Sequence, residues 1–559
     1  MKTQDSGWLT DWKPRRLGAA ALVLVAPILA TVAWIGAAPT HAYAQDVFFV
    51  LNGAWRVLNG QAPHVDFFSP FGPLIFLVVA LGLKLARFDV QGIGYGISLM
   101  GMVVAAGVFR LASRRVGAAP ALLLTVYLTL LCVTPYPLGM DPARFSHAMS
   151  YNRIGYGLLC LVMIEAFSRP SKEHPQNGAA VRSGNPRVSG PFGGADGALC
   201  AREGATGRLE WLDGAITGAA CVLLLFLKAN FFLVAGAFVV LSMVCRRVER
   251  NRVGGLAWAS LAMGIAFLAY LRGDAASMWG DLRIAANARS GGITWPVLLS
   301  ASAGHWMDLS RLAMLGWLAR GRLLDDFRML WLPAVFGGSI LLGITNNQGP
   351  VSPPVDVLVI LLAVLVPAQN RMARLLVPLC LVPVLWQAGN DARSIVLAAG
   401  EKIHGPAKGE IKTLAAPHLS HLHLYDYVGN TPNDEYTNGR SFVDHINQGI
   451  ELLEKHSEGG ETIVCPELAD PFAYALLRPP SRGGFVLLAH GYSYTDTRRP
   501  SSERLFGGAD LALLPNRTAM TAEDLAHNRR NFFGYIERNF HLIAETEEWR
   551  LLRNNRGRP

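Results

Sequence analysis

The segment QDVFFVLNGAWRVLNGQAPHVDFFSPFGPL, residues 45–74, holds three groups suited to acid–base or ligand chemistry: Asp46, His64 and Asp66. A carboxylate held at a lipid–water boundary can orient or deprotonate an acceptor hydroxyl, because a general base must be positioned before its pKa matters. The same acid can also cap a helix. His64 and Asp66, two residues apart, have a spacing that can bind a metal, and Asp66 can equally close the turn before Phe67. Asp141 in GMDPARFSH is a second candidate acid, with an Asp-Pro turn as its plainer reading. The cationic candidates are Lys228, flanked by LLLFL and FFLV, and Arg153, which follows Asn152 in SYNRIGYGLL. A lysine between apolar runs either functions there or snorkels to the interface. Asn152 and Arg153 open an apolar run, where the free backbone N–H groups of a helix start suit an anion.

Membrane elements must position these groups. Of 559 residues 51% are hydrophobic and only 16% charged, against roughly 25% charged in soluble domains. Residues 17–36, 92–112, 118–134, 151–167, 253–271, 327–345 and 372–388 approach the ~20 apolar residues of a transmembrane helix, and 355–366 is a shorter run. The net charge of +10 is unevenly spread. From Gly400 onward 18 Lys/Arg meet 21 Asp/Glu, so the first 399 residues hold 33 basic and 20 acidic groups. That excess lies in short segments between apolar runs, the pattern of cytoplasmic loops, which argues against nucleic acid as a partner.

Arginine clusters set a topology. Lys13, Arg15 and Arg16 place the N-terminus inside, although the basic start and AYA at 42–44 also imitate a cleavable signal. Arg114/Arg115, Arg246/Arg247/Arg250/Arg252, Arg320/Arg322 and Arg371/Arg374 are expected on the same side. Residues 169–210, rich in Gly, Pro, Ser and Arg, read as a disordered cytoplasmic insert. Parity then puts the loop at 37–72 outside, makes 73–86 a short or re-entrant helix, and splits the block 211–245 at Lys228–Asn230 with its tip outside. The segment FFVLNGAWRVLNG is expected to lie along the membrane surface. About eleven crossings result.

Beyond residue 400 the pattern changes. RSFVDHINQGIELLEKH has helical spacing, while ETIVCPE, GGFVLLAHG and ADLALLPN read as buried strands. The fold class expected is therefore an α-helical polytopic membrane domain, residues 1–399, followed by a small soluble α/β domain, residues 400–559, on the outer side. The seven cysteines form no Cys-x-x-Cys pair, and His418, His421 and His423 read as loop histidines. There is no Gly-x-Ser-x-Gly elbow and no Walker-type phosphate loop.

Asp46, Ala54, Leu58, Gly60, Pro63, Asp66 and Pro73-Leu74 resemble the first outer loop of GT-C glycosyltransferases, the group that includes protein mannosyltransferases, aminoarabinose transferases and Rgt-type enzymes. SYNRIGYGLL and FLKANFFL resemble recurrent stretches of a bacterial branch of it, and the likeness covers about the first 270 residues. The resemblance implies a polyprenyl-phosphate sugar as donor, and a glycan, lipid or protein acceptor at the outer face of a bacterial inner membrane. It implies Asp46 as catalytic base or acceptor-orienting acid, and donor-phosphate contacts from Lys228 or Arg153. Val47 stands where relatives carry a second acid, so use of a divalent cation stays open. The rival readings are a transporter or flippase for an envelope lipid or glycan, and a non-enzymatic envelope-assembly protein.

Overall fold

The computed structural model describes residues 14–556 apart from 42, 169–194, 246–248, 291–293, 325–326, 347–350, 368–369, 406–410, 426–441 and 517–521. The chain is an α-helical polytopic membrane protein with a small α/β domain at its C-terminal end. Among the described residues five helices are long and apolar enough to cross a bilayer: Arg15–Ile35, Gly92–Ser113, Arg250–Tyr270, Arg328–Asn346 and Arg371–His404. The bundle runs α1 (Pro14–Ile35), α2 (Ala44–Leu58), α3 (Leu74–Leu85), α4 (Gly92–Ser113), α5 (Ala118–Val133) and α6 (Ser150–Phe167). It continues with α7 (Ala195–Leu225), α8 (Ala229–Cys245), α9 (Arg250–Tyr270), α10 (Ala275–Ser290), α11 (Trp295–Gly304) and α12 (Trp306–Leu318). The short α13 (Arg320–Leu324), then α14 (Trp331–Asn346), α15 (Pro353–Leu365) and α16 (Arg371–His404) complete it.

The α3 helix has 12 residues, about 18 Å at 1.5 Å per residue, well short of a ~30 Å hydrocarbon core. Its entry docks on the turn between α7 and α8: Gly72 N–H donates to the Leu227 carbonyl at 3.1 Å, and Leu74 N–H to that of Phe226 at 2.8 Å. A Cβ at Gly72 would lie 2.1 Å from the Phe226 carbonyl oxygen, so only glycine allows this approach. The long block does divide, with α7 ending at Leu225 and α8 starting at Ala229. Of the insert expected to be disordered, residues 169–194 lie outside the described residues, whereas 195–210 form the first turns of α7. The polar stretch after α9 is helical too, as α10.

Helix α2 is packed on more than one side. Residues Val47 to Arg56 are all buried, and the helix is clamped between α3 and the C-terminal domain rather than lying free on a surface. Asn52 Nδ2 donates to the Phe485 carbonyl at 3.2 Å, Trp55 Nε1 to that of Arg478 at 2.8 Å, and Arg56 Nη1 to those of Ser481 and Gly483 at 2.8 and 2.9 Å.

The C-terminal domain begins with a two-stranded antiparallel pair, β1 (Ile411–Lys412) and β2 (Leu424–Tyr425), and α17 (Phe442–His456). Strands β3 (Ile463–Val464), β4 (Leu511–Pro515), β5 (Phe540–Glu545) and β6 (Trp549–Asn554) form a sheet in the order β3-β4-β6-β5, of which only β3–β4 is parallel. Short helices α18 (Phe472–Ala475), α19 (Ser502–Phe506), α20 (Ala522–Asn528) and α21 (Gly534–Asn539) connect them. Val443, Ile446, Ile450 and Leu453 bury one face of α17, and Trp549 Nε1 donates to the His445 carbonyl at 2.8 Å. GGFVLLAHG is not a strand. It is an irregular run that pairs with the first loop, Phe68 N–H donating to the Gly484 carbonyl at 3.0 Å.

Candidate active site

Helix α6 links the two poles of the bundle. Asn152 lies in its first turn and Glu165 in its last, 13 residues and about 20 Å apart. At the Glu165 pole the charges are paired. Arg252 donates from Nε and Nη2 to Glu165 at 2.6 and 2.8 Å, Arg115 lies 2.9 Å from Asp213 and 3.5 Å from Glu165, and Arg114 reaches Asp213 at 2.9 Å.

The Asn152 pole carries the C-terminal domain and gathers the candidate chemistry. Lys228 sits in the α7–α8 turn, where its Nζ donates to Asn346 Oδ1 at 2.6 Å and Asn152 Oδ1 at 3.2 Å. Asn230 Nδ2 donates to the same Asn346 oxygen at 2.9 Å. The ammonium lies 5.2 Å from the Tyr151 ring and 5.7 Å from the Phe71 ring. Phe71 packs 4.8 Å from Tyr151 and 5.3 Å from Phe49, one α2 turn beyond Asp46. Asp46 is partly exposed in the first turn of α2, its N–H donating to the Tyr43 carbonyl at 3.0 Å, with Tyr43 held in the left-handed region at φ 56°.

Burial pushes the Asp46 carboxyl up to about 7, with Lys228 and Arg289 pulling the other way. Both cations are thus within electrostatic reach of the acid. Burial also raises the Tyr43 phenol, and Asp46 adds to that rise. Among the described residues neither Asp46, Lys228 nor Arg289 forms an ion pair, and the Asp46 carboxylate accepts no hydrogen bond. The buried Asn152 Nδ2 likewise has no hydrogen-bond partner there.

The other sequence candidates stand elsewhere. Arg153 is buried, with two of its three nitrogens engaged: Nη1 lies 3.1 Å from Asp391 Oδ1 and donates to the Leu131 carbonyl at 3.0 Å, while Nε donates to that of Tyr136 at 2.6 Å. It braces α6 against α16 instead of sharing the Lys228 cluster. His64, fully buried at φ 70°, places Nδ1 3.2 Å from Asp281 of α10. Asp66 accepts from the Ala62 N–H at 2.7 Å and pairs with Arg272 at 2.8 Å. These partners separate His64 and Asp66, so the pair builds the loop and makes no common ligand set. Asp141 is exposed and closes its own turn, accepting from the Ala143 N–H at 3.0 Å. His418 and His421 turn to the Tyr474 carbonyl and Asp89 respectively.

Sequence reasoning missed Arg289 and Asn346. Arg289, at the end of α10, donates to the Thr345 carbonyl and stacks 5.2 Å from the Tyr492 ring of the C-terminal domain. Its only signal was a basic residue closing a polar stretch before an apolar one. Polar groups are not confined to this pole either. Tyr127, Asp356, Arg311, Asp308 and His305 form a buried chain between α5, α12 and α15, with links of 2.7 to 3.0 Å. One described group has metal-ligand composition, His490, Asp496 and His527, but Arg530 and Asn531 already donate to Asp496 at 2.7 and 2.6 Å.

No protein-family model and no curated protein matches the sequence. Among solved structures, the chain is similar to ArnT from Cupriavidus metallidurans bound to undecaprenyl phosphate, with 12% identity and a TM-score of 0.42 over 97% of this chain and 98% of that one. The apo form of the same protein gives 12% identity and a TM-score of 0.41 over 96% and 98%. A likeness at this level transfers no residue role and no ligand.

Proposed function

We propose that the protein is a membrane glycosyltransferase that moves a sugar from a polyprenyl-phosphate donor to a hydroxyl of a glycan, lipid or protein at the outer face of a bacterial inner membrane. Asp46 takes the proton of the acceptor hydroxyl. The acceptor oxygen bonds to the anomeric carbon as the bond from that carbon to the phosphate oxygen breaks, with inversion. The departing phosphate gains negative charge, which Lys228 and Arg289 balance and the free Asn152 amide can hydrogen-bond. Donors fixed before the reaction stabilise developing charge most effectively. Arg153 is left out of this step because its Nε and Nη1 already hold the Tyr136 and Leu131 carbonyls and Asp391.

The observation that carries the reading is the meeting of an unpaired acid with two unpaired cations at one pole, beside an aromatic floor of Phe49, Phe71 and Tyr151. Partly buried charges without a counter-charge cost folding free energy, which suits a site whose missing counter-charge is the ligand. The test is transfer of radiolabelled sugar from polyprenyl-phosphate donors in membranes. Asp46→Asn keeps the shape of the side chain and should lower transfer by about 10²–10⁴-fold. Equal transfer by wild type and variant removes Asp46 from its role.

A further inference from the structure

We infer that Tyr492 of the C-terminal domain is a positioning residue for Arg289, so that this domain completes the transfer site. The inference rests on the transferase reading for its function and on separate geometry for its placement. Residues 489–494 form a tight turn: Gly491 has φ 73° and donates to the Tyr494 carbonyl at 2.9 Å, Ser493 N–H donates to that of Ala489 at 2.8 Å, and Ala489 N–H returns a bond to Ser493 Oγ at 2.9 Å. The turn is rooted by the buried Tyr494, whose hydroxyl donates to Asn528. It presents Tyr492 at its tip, 48% exposed, where the ring covers the Arg289 guanidinium at 5.2 Å.

Helix α10 is fastened from the same side. Arg504 of α19 reaches both oxygens of the buried Asp281 at 2.7 and 3.1 Å, and Asp281 also meets His64 at 3.2 Å and the Ser69 N–H at 3.3 Å. Arg289 lies eight residues further along, about 12 Å at 1.5 Å per residue. One contact therefore fixes the middle of α10, at Asp281, and Tyr492 fixes the end that bears the cation. A long arginine side chain held over an aromatic face loses less rotamer freedom when an anion arrives.

The full chain in detergent tests this with undecaprenyl phosphate as the binding probe, using wild type, Tyr492→Phe, Tyr492→Leu, Arg289→Ala and the Arg289→Ala/Tyr492→Leu double variant. Tyr492→Leu should weaken binding by about two- to thirty-fold, the range a cation–π contact spans. Tyr492→Phe keeps the ring face and should restore binding, and Tyr492→Leu should add nothing on the Arg289→Ala background. Wild-type binding by Tyr492→Leu, or its full loss repeated on Arg289→Ala, overturns the inference and leaves the transferase reading intact. If wild type binds no undecaprenyl phosphate, the transferase reading fails, and the thermal midpoints of the same set decide the contact: non-additive shifts keep it and additive shifts overturn it.

Discussion

The two poles of the bundle handle charge in opposite ways. At one, Glu165 and Asp213 are enclosed by Arg114, Arg115 and Arg252 at 2.6 to 3.5 Å. At the other, Asp46, Lys228 and Arg289 act on one another from beyond ion-pair distance, and among the described residues none has a charged partner of its own. The paired pole satisfies its own charges and holds α4, α6, α7 and α9 in register. The open pole leaves a carboxylate and two cations for something that the chain does not supply. The acids of the paired pole are fully buried, whereas Asp46, Lys228 and Arg289 keep partial exposure, so pairing and burial change together between the poles.

This contrast can be broken from either end. Glu165→Ala removes the acid that holds Arg252 at 2.6 Å and strands that buried guanidinium, while Arg115 keeps Asp213 at 2.9 Å; the loss should cost about 3–5 kcal/mol. Thermal unfolding in detergent measures it, and a variant as stable as wild type would show that the paired pole is not structural. The open pole should instead respond to pH. Asp46 titrates near 7 and acts as a base only when ionised, so kcat/KM should fall about tenfold per unit below that pH and level off above it. The sign for stability is opposite. The raised pKa means the folded state holds a proton that the unfolded state has lost between about 4 and 7, so this group's contribution declines as pH rises through that window. A profile that falls above about pH 7 instead would assign Asp46 the acid's role. The smallest effect belongs to Asp141→Ala, which opens an exposed turn and should change both stability and transfer by less than about 0.5 kcal/mol.

Much of the helical framework was legible because lipid-facing helices need long apolar runs, and those runs are written plainly from 17 to 36 and from 92 to 112. The break at Lys228–Asn230 was legible for the same reason, since a lysine does not sit quietly between LLLFL and FFLV. Elements whose identity comes from tertiary contact were not. GGFVLLAHG has the apolar content of a strand, yet its backbone bonds go to the first loop instead of the sheet. Strands β5 and β6 and helix α10 carry mixed polar patterns that give little periodic signal. In the site, Asp46 and Lys228 stood out as charges beside apolar runs, whereas Arg289 is held by Tyr492 and Thr345, both more than 50 residues distant in sequence. The pairing of Arg153 was hidden for the same reason: its partner Asp391 lies 238 residues away.

The difference between the poles is tested most directly by the affinity of Lys228→Met for undecaprenyl phosphate. Methionine keeps much of the lysine stem and removes only the ammonium. The account predicts binding weakened by about ten- to a hundred-fold, on the order of one charge-assisted contact, with a thermal midpoint no lower than that of wild type. Unchanged affinity, or a loss that simply follows unfolding, would contradict it.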